Sequence, residues 1–76
     1  MEKGWTKIQT YTKAIEAEIV KQMLEENGIP AVLLNKQDSS YLFGKLELYV
    51  NEINKEQALV LINQTGENNS EEENVN

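Results

Sequence analysis

Glu16-Ala17-Glu18-Ile19-Val20-Lys21-Gln22-Met23-Leu24-Glu25-Glu26-Asn27-Gly28-Ile29-Pro30-Ala31-Val32 decides how the rest of the chain is read. From Ala14 to Asn27 the apolar residues Ile15, Ala17, Ile19, Val20, Met23 and Leu24 recur at helical spacing. At about 100° per residue they fill a little over half the circumference, and Glu18, Lys21, Gln22, Glu25 and Glu26 take the rest. Asn27-Gly28 ends the helix, because Gly enters the left-handed conformation of a C-cap without a Cβ penalty. Ile29 is the apolar residue expected just beyond such a turn, and Pro30 forbids re-entry into helix. Ala31-Val32-Leu33-Leu34 then reads as a short strand, apolar on both faces.

Outward from this unit the periodicity changes to two. Before it, Trp5 to Tyr11 alternates, with Thr6, Ile8 and Thr10 on one side and Trp5, Lys7, Gln9 and Tyr11 on the other. The β-branched and aromatic content makes this a strand, and Thr12 offers a hydroxyl as N-cap to the helix that follows. After it, Asn35 to Gly44 is a connection centred on Asp38-Ser39-Ser40. Lys45 to Val50 alternates again, Leu46, Leu48 and Val50 against Lys45, Glu47 and Tyr49, so the two segments form an antiparallel hairpin. Asn54 and Gln57 form an Asn-x-x-Gln capping box with Ile53 as its hydrophobic staple, predicting a second helix over 55–65 with Ala58, Leu59, Leu61 and Ile62 as its apolar side.

The order is β-α-β-β-α. Helices this short must bury their apolar faces against a common sheet. Ile8, Leu46, Leu48 and Val50 supply the sheet side of the core, and Ile19, Val20, Met23, Leu24, Leu59 and Ile62 the helix side. A right-handed first crossover sets the first two strands parallel with the third between them. The expected fold is an α+β ferredoxin-like sandwich: a three-stranded sheet, two helices on one face, and the last strand of the complete βαββαβ unit missing.

Residues 66–76, with Glu67, Glu71, Glu72 and Glu73, hold one apolar side chain. Such a stretch buries too little to offset about 1–2 kcal/mol of entropy per ordered residue, so the expected division is a domain over 1–65 and a disordered acidic tail. Of 76 residues, 7 are basic, all Lys, against 13 acidic, for a net charge of −6. The tail carries four of the acids, leaving nine against seven Lys, or −2, for residues 1–65.

Absent residue types exclude much of biochemistry. There is no Arg, His or Cys. Disulfides, thiolate or imidazole metal sites, Cys/His nucleophile pairs and imidazole bases are therefore ruled out, and no cofactor is expected. A net-acidic chain without Arg is poorly equipped to neutralise phosphates, which argues against nucleic acid. No apolar run approaches the roughly 20 residues of a membrane span, and Met1 to Trp5 does not lead into a signal-peptide core, so a soluble cytoplasmic protein is expected. Ser39 and Ser40 near Lys36 and Lys45 read as turn residues rather than a nucleophile pair. Glu16 lies inside the helix's apolar arc, where a first-turn carboxylate has free backbone N–H groups to accept from. Catalysis is not expected.

The aromatic residues carry the functional signal. Trp5, Tyr11 and Tyr49 have the sheet parity opposite Ile8 and Leu48, which assigns them to the helix-free face. Tyr41, Leu42 and Phe43 lie in or beside the hairpin loop. Aromatics on an uncovered face or loop are what partner surfaces use. With no fourth strand, Thr6 to Tyr11 would also present unpaired backbone groups along an edge guarded only by Lys7. The candidate binding residues are thus Trp5, Tyr11, Tyr41, Leu42, Phe43 and Tyr49, for a protein partner or a second copy in a dimer. A small-molecule ligand sensed by the 36–44 loop is the alternative.

The segments Glu16 to Leu24, Glu26-Asn27-Gly28-Ile29-Pro30-Ala31-Val32 and Leu46-Glu47-Leu48-Tyr49-Val50 resemble a small prokaryotic domain-of-unknown-function family described as "putative prokaryotic signal-transducing protein". The resemblance covers about residues 6–62. It implies a ferredoxin-like fold reminiscent of the nitrogen-regulatory PII proteins and a regulatory or binding role in bacteria. Some relatives add a Cys-rich zinc segment, and this chain, with no Cys, inherits no such metal role.

Overall fold

The structure is a computed structural model, and it describes residues 4–36 and 44–65. Five main elements follow in the order expected: β1 (Trp5–Tyr11), α1 (Ala14–Glu26), β2 (Ala31–Asn35), β3 (Leu46–Asn51) and α2 (Lys55–Gln64), with one 3-10 turn (Glu52–Asn54) between β3 and α2. The sheet order is β1-β3-β2, and β3 is antiparallel to both neighbours. β1 and β2 therefore run parallel on either side of β3, as a ferredoxin-like β-α-β-β-α unit requires.

The end of α1 is built as its sequence specifies. The Ile29 N–H donates to Leu24 C=O at 2.9 Å, and the Gly28 N–H to Glu25 C=O at 3.0 Å. These are the paired bonds of a Schellman turn, with Gly28 at φ +84° and Ile29 sealed into the core. The starts of the helices differ from expectation. Lys13, not Thr12, is the N-cap residue of α1 and makes no side-chain cap bond. Thr12 lies one residue too early to reach the first-turn amides. Asn54 likewise makes no cap bond, because the 3-10 turn leads directly into α2 and the capping moves upstream. There Asn51 Oδ1 accepts from the Ile53 N–H at 3.2 Å. Ile53 is no staple; it is 86 % exposed.

The core consists of Tyr11, Ala17, Val20, Leu24, Ile29, Ala31, Leu48, Val50, Ala58 and Ile62, with Ile8, Met23, Leu33, Leu46 and Leu61 packed around it. Each helix approaches the sheet over a fully buried alanine, Ala17 in α1 and Ala58 in α2. Ile15 and Ile19 both lie two positions from Ala17, about 200° around the helix. That geometry explains their exposures of 73 % and 61 %. The expectation that Ile19 belongs to the core is corrected accordingly: the apolar arc is wider than the strip the sheet covers. Glu16 is exposed as well.

Candidate interaction surface

One irregularity in β1 decides which side chains reach the helix-free face. Thr6 pairs with Val50 and Lys7 with Tyr49, but the next pair is Gln9 with Leu48, then Thr10 with Glu47 and Tyr11 with Leu46. The extra residue, Ile8, is a β-bulge, and a one-residue slip exchanges the faces of everything after it. Tyr11 accordingly turns into the core, where it is 5 % exposed, and Thr10 turns outward. The assignment of Tyr11 to the open face and of Thr10 to the core face is thereby overturned. Strict alternation would have buried Thr10 and displayed Tyr11, an inversion of hydrophobicity that the bulge repairs. That inversion is the signal in the sequence that could have revealed it.

Trp5 and Tyr49 stand where expected. They share the helix-free face with Lys7 and Thr10 of β1, Glu47 and Asn51 of β3, and Val32 and Leu34 of β2, all set by the pairing register. Trp5, Val32, Leu34 and Tyr49 are each half-buried, shielded without a covering helix. Tyr41, Leu42 and Phe43 lie outside the described residues, as does most of the 36–44 connection; its base is closed by the Lys36 N–H donating to Lys45 C=O at 2.7 Å.

A polar cluster crosses this face. The Tyr49 hydroxyl donates to Glu47 Oε1 at 3.0 Å, and Lys7 Nζ lies 3.4 Å from Glu47 Oε2. The Glu47 side chain retains 15 % of its exposure. This desolvation pushes its carboxyl upward, but the Tyr49 bond and the charges of Lys7 and Lys36 together outweigh it and hold the group below the usual carboxylate range. The Tyr49 hydroxyl is held above its ordinary value, mainly by its bond to Glu47, then by desolvation and by the carboxylate's charge. Glu47 thus ties the two strands together and neutralises the lysine on the outer one.

The backbone completes the surface. The Glu52 N–H donates to Gly4 C=O at 2.8 Å, which fixes the hydrogen-bonding phase of the β1–β3 ladder. Even-numbered residues of β3 bond toward β1 and odd-numbered ones toward β2. The inward-bonding residues are therefore Gly4, just ahead of β1, and Thr6 before the bulge, then Gln9 and Tyr11 after it. Trp5, Lys7 and Thr10 aim their N–H and C=O groups outward, and among the described residues β1 is an edge strand with no neighbour on that side. The residues with outward backbone groups are also those with side chains on the helix-free face.

Among the described residues no three or more His, Cys, Asp or Glu side chains gather as a metal would need, and no helix is long and apolar enough to cross a membrane. The arrangement presents an apolar and aromatic sheet face, bordered by backbone donors and acceptors that meet no strand among the described residues. Together with the strand order, it defines a small ferredoxin-like α+β domain. The chain belongs to the prokaryotic family described as "putative prokaryotic signal transducing protein", whose profile matches residues 5–66. No curated protein and no solved structure shows a significant match to the chain.

Proposed function

We propose that this protein is a non-catalytic, cytoplasmic binding module of a bacterial regulatory system, docking a protein partner on its helix-free sheet face and β1 edge. One observation supports the reading above others: Trp5 and Lys7 present backbone groups outward and side chains on the same helix-free face as Tyr49. A strand added to such an edge gains main-chain bonds, while the aromatic face supplies selectivity. The signal-transducing description of the family agrees with a role in contact rather than conversion.

The test is site-specific photocrosslinking in the native host. A benzophenone amino acid replaces Tyr49 on the sheet face in one variant and Gln22 on the exposed side of α1 in another. The reading predicts a discrete protein adduct from position 49 and none from position 22. Adducts from position 22 alone, or from neither, contradict it.

A further inference from the structure

We infer that the strand completing the β1 edge is β1 of a second copy, added antiparallel so that Trp5 of each copy lies opposite Lys7 of the other. The inference rests on the edge being the docking element proposed above, and it names the occupant.

The bulge at Ile8 limits the choice. Before the phase slips at Ile8, the outward-bonding residues of β1 are Trp5 and Lys7, so a two-fold pairing of this strand with itself must centre there. Outward-bonding residues must meet outward-bonding residues, which leaves three registers. Lys7 opposite the partner's Lys7 sets like charges face to face, a destabilising pair. Trp5 opposite the partner's Trp5 keeps only that one hydrogen-bonded pair inside the strand. With Trp5 opposite the partner's Lys7, both symmetric pairs fall inside the strand. Each pair exchanges two N–H···O bonds, and Thr6 meets the partner's Thr6 at the dyad, a pairing β-sheets favour.

Side-chain chemistry selects the same register. Trp5 and Lys7 project from the same face, so each ammonium comes to lie beside the other copy's indole, the best cation–π acceptor among the side chains. A lysine on an edge strand normally discourages pairing. Here Glu47 lies 3.4 Å from Lys7 Nζ, so the charge arrives already compensated. The product is a continuous sheet, β2-β3-β1 joined to its symmetry copy, with the two Trp5/Tyr49 faces contiguous.

Because the chain contains no cysteine, single-Cys variants report register cleanly. Sedimentation of the full chain from micromolar to millimolar concentration should show a monomer–dimer equilibrium. An equimolar mixture of Trp5→Cys and Lys7→Cys proteins, oxidised gently, should give mainly the mixed disulfide, since directly opposed residues stand about 5.5 Å apart between Cα atoms. That heterodimer keeps one native Trp–Lys pair. Backbone N-methylation of Lys7 in synthetic protein removes an outward donor without touching the fold, and should weaken the dimer at least about tenfold with an unchanged circular dichroism spectrum. A monomer at all concentrations overturns the inference, as does a dimer whose disulfides join like positions. If the monomer still forms the adduct from position 49, the proposed docking role survives and only the identity of the occupant falls.

Discussion

Replacing Tyr11 and Trp5 in turn by alanine tests the bulge, on which the composition of both sheet faces depends. Without the bulge the two aromatics would share one face, and their loss would cost similar amounts. With it, Tyr11 is a core residue at 5 % exposure whereas Trp5 is half-buried on a face with no helix above it. Truncating a buried aromatic costs about 3–5 kcal/mol through lost transfer energy and the cavity left behind. A domain of this size rarely has more than about 3–5 kcal/mol in hand, so Tyr11→Ala should be largely unfolded at room temperature. Tyr11→Leu, which keeps an apolar filling, should fold with a loss of about 1–2 kcal/mol. Trp5→Ala should also fold, with a loss in the same lower range. Urea unfolding followed by far-ultraviolet circular dichroism, which does not depend on the tryptophan, measures all three. An unfolded Trp5→Ala beside a stable Tyr11→Ala would refute the register.

Three other outcomes follow from the same geometry. Gly28→Ala places a Cβ where no atom lies within 4 Å, so its cost is conformational only; at φ +84° that is about 1 kcal/mol, a fall of about 4–8 °C in melting temperature. Ile15→Ser and Ile19→Ser should each change stability by no more than about 0.5 kcal/mol, whereas Leu24→Ala should cost about 2–5 kcal/mol; chemical denaturation of the set checks the face on which α1 packs. Because the Glu47 carboxyl is held low in the fold, its stabilising contribution is present above the unfolded value of about 4.3 and fades as pH falls through the lower folded value. Tyr49, held high, contributes below about 10 and loses that contribution as pH rises through its folded value. Glu47→Gln should flatten both limbs of a stability–pH profile measured by thermal melting, and unchanged limbs would remove this cluster from the account.

Much of the architecture was legible because it depends on local chemistry. The Asn27-Gly28-Ile29-Pro30 terminator, the alternation in β3 and the hairpin pairing all appear as their residues require. What escaped was set by contacts distant in sequence. The bulge is a property of how β1 matches β3 and leaves only an indirect trace in β1 itself. The burial of α1 is centred on Ala17, a residue that counts for little when hydrophobicity is summed, so the bulkier Ile19 was misplaced into the core. Capping at Thr12 and Asn54 failed because the turns before both helices begin elsewhere than their best capping residues. Of the candidate site residues, Trp5 and Tyr49 stand together on the helix-free face and Tyr11 does not. The cluster of Lys7, Glu47 and Tyr49 was missed as a unit, although Glu47 and Tyr49 two apart on one strand share a face by necessity.

Docking at this edge requires an outer rim of β1 that is free within one molecule, and amide hydrogen exchange resolved by NMR in dilute protein measures this directly. The amides of Trp5, Lys7 and Thr10 should exchange rapidly while those of Thr6 and Tyr11 are protected, a two-residue rhythm that slips once, at Ile8. Protection of Trp5, Lys7 and Thr10 equal to that of their inward-bonding neighbours at the same dilution would mean that the chain itself occupies the rim, and the docking role proposed for it would be wrong.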